Sequence, residues 1–396
     1  MPRRLRRRRP RGQHGLPRER SATRLPGRGL SNLVNTNLRL RSIIGRTFIP
    51  PTSSRGKMER LRPRQLKMGS LTSQRGRRRE IRSSPSFRKL CDLRIAQRDD
   101  MNTLSTELLD IGYETGGPEG GEPVLLLHGW PDDVRGWRGV IPHLEQAGYR
   151  WAAPWLRGFG PTRFRSPDTV RDGSAVALSQ DAIDLADHVG WKKFSVVGHD
   201  WGARIAYTLS ALFPERVSTI STLALSYSPG GRFATPSFEQ SRRWWYQWFM
   251  TTERGGEAVR ADPKGFALEQ WKTWSPAGWF NDEEFKATAK SFENRDWTDV
   301  SLNAYRSRWK EEVADGRYQP LRRRLASVET LNTPTLMIQG MADMCDPASE
   351  SEDQARHFTG GYRRQLLHEV GHFPAREAPG EVAREVLSHL KGFLER

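Results

Sequence analysis

Two side chains 172 residues apart could together carry out covalent chemistry at saturated carbon. Asp200 lies in Gly198-His199-Asp200-Trp201-Gly202, after an apolar run over residues 194–197 and before an amphipathic pattern over residues 203–212. A Gly-x-nucleophile-x-Gly stretch between a strand and a helix makes a sharp elbow that lifts the central side chain out of the backbone. A serine there would attack acyl groups after losing its proton. A carboxylate is already ionised at neutral pH. It attacks acyl carbon poorly, but it can displace a leaving group from sp3 carbon and so become an alkyl ester of the enzyme. A base must then activate water to hydrolyse that ester.

His372 is the candidate base. It lies in His368-Glu369-Val370-Gly371-His372-Phe373-Pro374, just past the last strand pattern, whereas the competing His368 falls at the strand's end. An acid should orient the imidazole and stabilise its charged form. Asp343, in Gly340-Met341-Ala342-Asp343, is preferred over Asp346. The stretch His128-Gly129-Trp130-Pro131 follows an early strand. There the Trp130 amide, with that of Trp201, is expected to form an oxyanion hole, and the Trp130-Pro131 bond is expected to be cis.

These residues need a scaffold. Strand patterns fall at 108–113, 123–127, 149–155, 194–197, 217–225, 335–338 and 365–367, and helix patterns at 133–147, 174–188, 203–212 and 379–394. Alternation of apolar strands with helices predicts an α/β fold, a mainly parallel sheet covered on both faces. The alternation breaks over residues 229–325, which are helical in pattern. Eight of the fourteen tryptophans lie between Trp244 and Trp309. An insertion between parallel strands sits over their carboxyl ends, where open α/β sheets bind ligands. The stretch is therefore read as an aromatic-rich cap, with core segments at 99–228 and 326–396.

Charge divides the chain differently. Of 64 Lys+Arg and 46 Asp+Glu, 29 basic and only 4 acidic residues fall within residues 1–98, while the remainder is net acidic. The overall net charge of +18 thus belongs to an extension, and a uniformly basic nucleic-acid-binding globule is excluded. That extension, too apolar-poor to offset its ordering entropy, is expected to be disordered. It could bind nucleic acid or an anionic membrane, act as an organellar transit peptide, or be translated upstream sequence ahead of a start at Met101. The abrupt change of composition at Asp99-Asp100-Met101 favours the last. Cys91 and Cys345 cannot make a disulfide framework and match no zinc spacing, so a reducing, cytoplasmic setting is expected. No run of 18 apolar residues exists to span a membrane. No cofactor, metal or specific nucleic acid is implied, and the sequence is silent on oligomeric state.

The motifs resemble the α/β-hydrolase superfamily, and within it the branch of epoxide hydrolases and haloalkane dehalogenases. His128–Pro131, the Asp200 elbow, Gly340–Asp343 and Gly371–Pro374 follow the family's order over about residues 103–396. Arg157-Gly158-Phe159-Gly160-Pro161-Thr162 resembles a further family loop, and Trp155 stands where many members have Asp. The resemblance implies that Tyr246, in Trp245-Tyr246-Gln247-Trp248-Phe249, and Tyr305, in Leu302-Asn303-Ala304-Tyr305-Arg306, donate to an epoxide oxygen as it leaves. It places His128, Pro131, Trp201 and Gln247 in the substrate pocket. The substrates so implied are water and a small apolar epoxide or halogenated compound. Haloalkane or haloacid dehalogenation on the same Asp-His-Asp triad is the alternative. Fluoroacetate-type dehalogenases resemble the chain at Arg204 but carry Arg where Trp201 stands. A third reading is a non-catalytic α/β-hydrolase-fold protein that binds nucleic acid or membrane through its basic tail.

Overall fold

The computed structural model describes residues 101–310 and 312–394. The Arg-rich extension, and the readings attached to it, lie outside these residues. Nine strands form one sheet: β1 (Asn102–Ser105), β2 (Leu109–Gly116), β3 (Pro123–Leu127), β4 (Arg150–Pro154), β5 (Arg163–Phe164), β6 (Phe194–His199), β7 (Val217–Leu223), β8 (Thr335–Gly340) and β9 (Tyr362–Leu367). Their order is β1-β2-β4-β3-β6-β7-β8-β9, with β5 paired to β2. The pairings from β4 through β3, β6, β7 and β8 to β9 are parallel, and those made by β2 are antiparallel. Leu125, Leu126, Leu127, Val196, Val197 and Ile338 are fully buried, as continuous apolar strands inside a flanked parallel sheet must be.

The flanking helices are α1 (Ile141–Gln146), α2 (Ala175–His188), α3 (Trp201–Leu212) and, at the C-terminal end, α11 (Pro374–Glu377) and α12 (Pro379–Leu394). Ser174 caps α2 by accepting the Ala177 N–H. Between β7 and β8 run α4 (Phe238–Arg243), α5 (Trp245–Thr251), α6 (Glu253–Ala261), α7 (Pro263–Thr273), α8 (Asp282–Ala289), α9 (Trp297–Arg306) and α10 (Gln319–Ala326). The helical insertion expected from the sequence thus lies between these two strands, and its last helix, α10, packs against α3.

One local expectation changes, and two strands are added. The pattern over 133–147 is not one helix. A 3-10 turn at Val134–Trp137, capped by Asp133, precedes α1, and Pro142 in the first turn of α1 cannot continue a helix from upstream because it lacks an N–H. Strands β1 and β5 were not foreseen: β1 buries only Leu104 and β5 has two residues, so neither carries a usable alternation.

Candidate active site

The elbow at the end of β6 holds Asp200 at φ +49° and ψ −108°, a positive-φ conformation that residues other than glycine rarely adopt. Its flanking glycines are there for contact. A Cβ at Gly202 would lie 1.9 Å from the Leu127 carbonyl oxygen, and one at Gly198 would lie 2.2 Å from that of Gly202. The strand therefore hands directly to α3 with the helix pressed on β3, and the Asp200 carboxylate projects beyond the strand's end.

The side chain of Asp200 is 9% exposed, while those of His372 and Asp343 are sealed. Its Oδ1 accepts the Trp130 backbone N–H at 2.9 Å. Its Oδ2 lies 3.8 Å from His372 Nε2, and that nitrogen has no hydrogen-bond partner among the described residues. One carboxylate oxygen is thus held and the other faces the imidazole. Burial works to raise the pKa of Asp200, but His372 and the Trp130 amide outweigh it, so the group stays ionised below the usual carboxylate range.

His372 Nδ1–H donates to Asp343 Oδ2 at 2.8 Å. The other oxygen of Asp343 accepts the amides of Cys345 and Asp346, each at 2.8 Å, which fixes the carboxylate. Of the two candidate acids, Asp343 is the one bonded to this nitrogen. Burial alone would lower the pKa of His372; Asp343 and Asp200 overcome it and raise it well above the usual histidine value. The His372 loop is gripped as well. Glu377 accepts the amides of Gly371 and Phe373 and the Ser275 hydroxyl, and Ser275 Oγ in turn accepts the His372 amide at 2.8 Å. Ser275 comes from the helical insertion, 97 residues upstream of the histidine it holds.

Above Asp200 sits an aromatic cluster. The Trp130 ring stacks between Tyr246 and Trp297, at 5.6 and 5.8 Å, and meets Tyr305 edge-on at 5.0 Å. The rings of Tyr246 and Tyr305 are 5.3 Å apart and nearly perpendicular. Trp201 Nε1–H donates to Tyr305 Oη at 3.1 Å, and Gln247 Nε2–H donates to Tyr246 Oη at 3.0 Å. Each phenol oxygen accepts from an N–H, so its own O–H remains available as a donor. Burial raises both phenols well above their usual pKa, which keeps them protonated at neutral pH.

The remaining sequence candidates divide. Trp130-Pro131 is a cis peptide as expected, and the Pro131 carbonyl accepts the Trp271 indole. Trp201 opens α3 beside Asp200, with its indole engaged by Tyr305. His128 is buried, but its Nδ1–H donates to the Gly129 carbonyl and its Nε2 accepts the Leu156 amide, so its ring holds the loop and has no nitrogen left for a substrate. Arg204 stacks on Phe233 at 4.5 Å, with a buried Nε that lacks a partner among the described residues; burial and Arg308 push its pKa down to about 10. Trp155 is buried as part of the core. Sequence reasoning missed Trp274, 4.8 Å from the His372 ring, and also Ser275, Glu377 and Cys345. Only Glu377 had a signal, as an acid five residues past His372, at the end of the short helix α11.

The site thus joins a carboxylate at a strand-to-helix elbow, an acid-backed histidine and a backbone amide bonded to the carboxylate. The sequence matches the alpha/beta hydrolase fold family over residues 122–379, and the chain belongs to that family. Within it the protein is epoxide hydrolase-like. It is 28% identical over 313 residues to epoxide hydrolase A of Mycobacterium tuberculosis (strain ATCC 25618 / H37Rv), which covers 69% of this chain and 93% of that protein. A structure from Klebsiella pneumoniae, provisionally assigned as an epoxide hydrolase, matches at 33% identity and a TM-score of 0.70, covering 74% of this chain and 98% of the other. Epoxide hydrolase A from Mycobacterium thermoresistibile matches at 26% identity and a TM-score of 0.61, covering 74% and 98%. Among the described residues no helix is long and apolar enough to cross a membrane.

Proposed function

We propose that the protein opens epoxides to vicinal diols through an alkyl ester on Asp200. Asp200 Oδ2 attacks the less hindered ring carbon while Oδ1 stays on the Trp130 amide. The C–O bond of the epoxide breaks and its oxygen leaves as an alkoxide, which takes protons or strong hydrogen bonds from Tyr246 and Tyr305. Ester formation removes the charge of Asp200. That charge is one of the two holding a proton on His372, so its loss moves the imidazole toward the neutral form needed as a base. His372, steadied by Asp343, then takes a proton from water, which attacks the ester carbonyl. The amides of Trp130 and Trp201 face the oxyanion that forms; one such donor is typically worth on the order of 10²–10³ in rate. Residues 229–325 act as the lid, and Pro131, Trp201 and Gln247 border the substrate.

The observation that carries the epoxide reading is the pair of phenols whose oxygens already accept from Trp201 and Gln247. A halide needs N–H donors and no proton. The indoles of the two residues that flank Asp200 through their amides are engaged, Trp130 Nε1 with Ser301 and Trp201 Nε1 with Tyr305. The apolar surroundings suit a small apolar or aromatic epoxide. The test is a panel of aliphatic and aromatic epoxides, haloalkanes and haloacids on the purified full chain, with diol and halide measured separately. Diol from epoxides is the expected product; halide release without diol would overturn the reading.

A further inference from the structure

Beside Tyr246 lies a row of groups that this mechanism leaves unused. Tyr246 Oη is 3.7 Å from Cys345 Sγ, within reach of a sulfur hydrogen bond, and Cys345 Sγ is 3.6 Å from Asp346 Oδ2. All three side chains are buried. The far end of the row returns to the centre: Cys345, Asp346 and His372 each bring one polar atom within 4.8 Å of the others. We propose that Asp346 and Cys345 form a proton relay that recharges Tyr246 during ring opening and is itself reloaded from His372.

The inference rests on the epoxide reading. A phenol that gives its proton to an alkoxide in a buried site must be reprotonated. Tyr246 is only 3% exposed, and its other polar neighbour, Gln247, is an amide that does not titrate. A phenolate is a stronger base than a thiolate, and a thiolate than a carboxylate. The proton of Asp346 therefore runs downhill through Cys345 to Tyr246. Burial raises all three groups, and Asp346, pressed by burial and by Asp343, is pushed up to about 7, so it carries a proton to give at and below neutral pH. The groups facing Asp346 act in both senses. Asp343 in its own loop and Asp200 at the elbow favour its neutral form, whereas His372 past β9 and Arg204 on α3 favour its charge.

The balance closes without a co-reactant. At ring opening one O–H bond forms on the product, and the O–H of Tyr246, the S–H of Cys345 and the O–H of Asp346 break in sequence, the first two re-forming. The Asp346 carboxylate then takes the proton of the His372 imidazolium, which leaves a neutral base just as the ester needs one. Water attack returns a proton to His372 and a carboxylate to Asp200. Epoxide and water have become diol, every group is restored, and no electrons have changed hands.

Cys345 and Asp346 are positioning residues for this proton and never touch substrate. The test is single-turnover ring opening of styrene oxide by the full chain, followed by tryptophan fluorescence and adduct mass from pH 5.5 to 9. The expected wild-type rate falls as pH rises past about 7. Cys345→Ala and Asp346→Asn should each slow ring opening at least ten-fold at pH 6.5 and abolish that limb. A merely structural defect would lower the rate and leave the limb in place. Variants that open styrene oxide at the wild-type rate with the limb intact overturn the relay, and so does a wild-type rate that is flat with pH. If Asp346→Asn does not fold, Cys345→Ala and the wild-type profile decide. A wild type that forms no adduct with any epoxide removes the epoxide reading, and the relay with it.

Discussion

His372 Nε2 stands 3.8 Å from Asp200 Oδ2, inside ion-pair range but beyond a hydrogen bond. The same ring bonds Asp343 at 2.8 Å through its other nitrogen. The histidine is thus fixed from behind and leaves Asp200 Oδ2 without a hydrogen bond to it. In the proposed reaction the two residues would serve successive steps, one forming the ester and the other removing it.

Replacing His372 with Gln separates those steps. Ring opening uses the carboxylate and the protonated phenols and needs no base, so it should survive, while hydrolysis loses a base worth roughly 10²–10⁴ in rate. Intact-protein mass spectrometry after incubation with epoxide should find the full mass of the epoxide added, and peptide mapping should place it on Asp200. An unmodified protein would mean that no alkyl ester forms.

Tyr246→Phe and Tyr305→Phe test the leaving group. Each removes a buried O–H that donates to the departing oxygen, so each should lower kcat/KM for epoxides by about ten- to a hundred-fold, and together they should do more. Release of halide from haloalkanes, if there is any, should be spared. Steady-state kinetics on both substrate classes supply the comparison, and equal losses on both would point to packing instead.

Much of this site was legible because its chemistry is concentrated in short motifs. The elbow needs glycines at 198 and 202 for contact reasons that hold wherever a strand turns directly into a helix pressed on its neighbour. The order of Asp200, Asp343 and His372 follows the order of the strands that carry them. What stayed hidden depends on long-range closure. Ser275 touches the His372 loop only because the insertion folds back over the sheet, and no local pattern around Ser275 announces it. The anchoring of His128 is hidden for a similar reason, since its partner, the Leu156 amide, lies past the next strand. The break in the helix at 133–147 was readable from Pro142, but the apolar periodicity outweighed it.

Glu377→Gln should loosen the base. The carboxylate accepts three bonds, from Gly371, Phe373 and Ser275, and an amide offers a single acceptor oxygen and would point N–H groups at donors. A buried hydrogen-bonding group left unsatisfied costs about 1–3 kcal/mol. Thermal melting should record that loss. Ester hydrolysis should slow several-fold more than ring opening, because only hydrolysis depends on the position of His372. Equal slowing of both steps would show that Glu377 supports the fold and not the base in particular.

Asp346→Asn should stabilise the protein, and by an amount set by pH. In the folded chain Asp346 holds its proton to about 7, whereas its ordinary value is 3.8. Below 3.8 the group is neutral in folded and unfolded chains alike, and its contribution is intact. As pH rises from about 4 to about 7, only the unfolded chain ionises, so folding becomes progressively less favourable. Above 7 both states are charged and the deficit no longer grows. Asparagine never ionises and escapes it. The difference in Tm between variant and wild type should therefore be small at pH 4, widen through pH 7 and level off beyond. A difference that is constant from pH 4 to 9 would mean that Asp346 is ionised throughout, and it would leave the Cys345 relay without its proton.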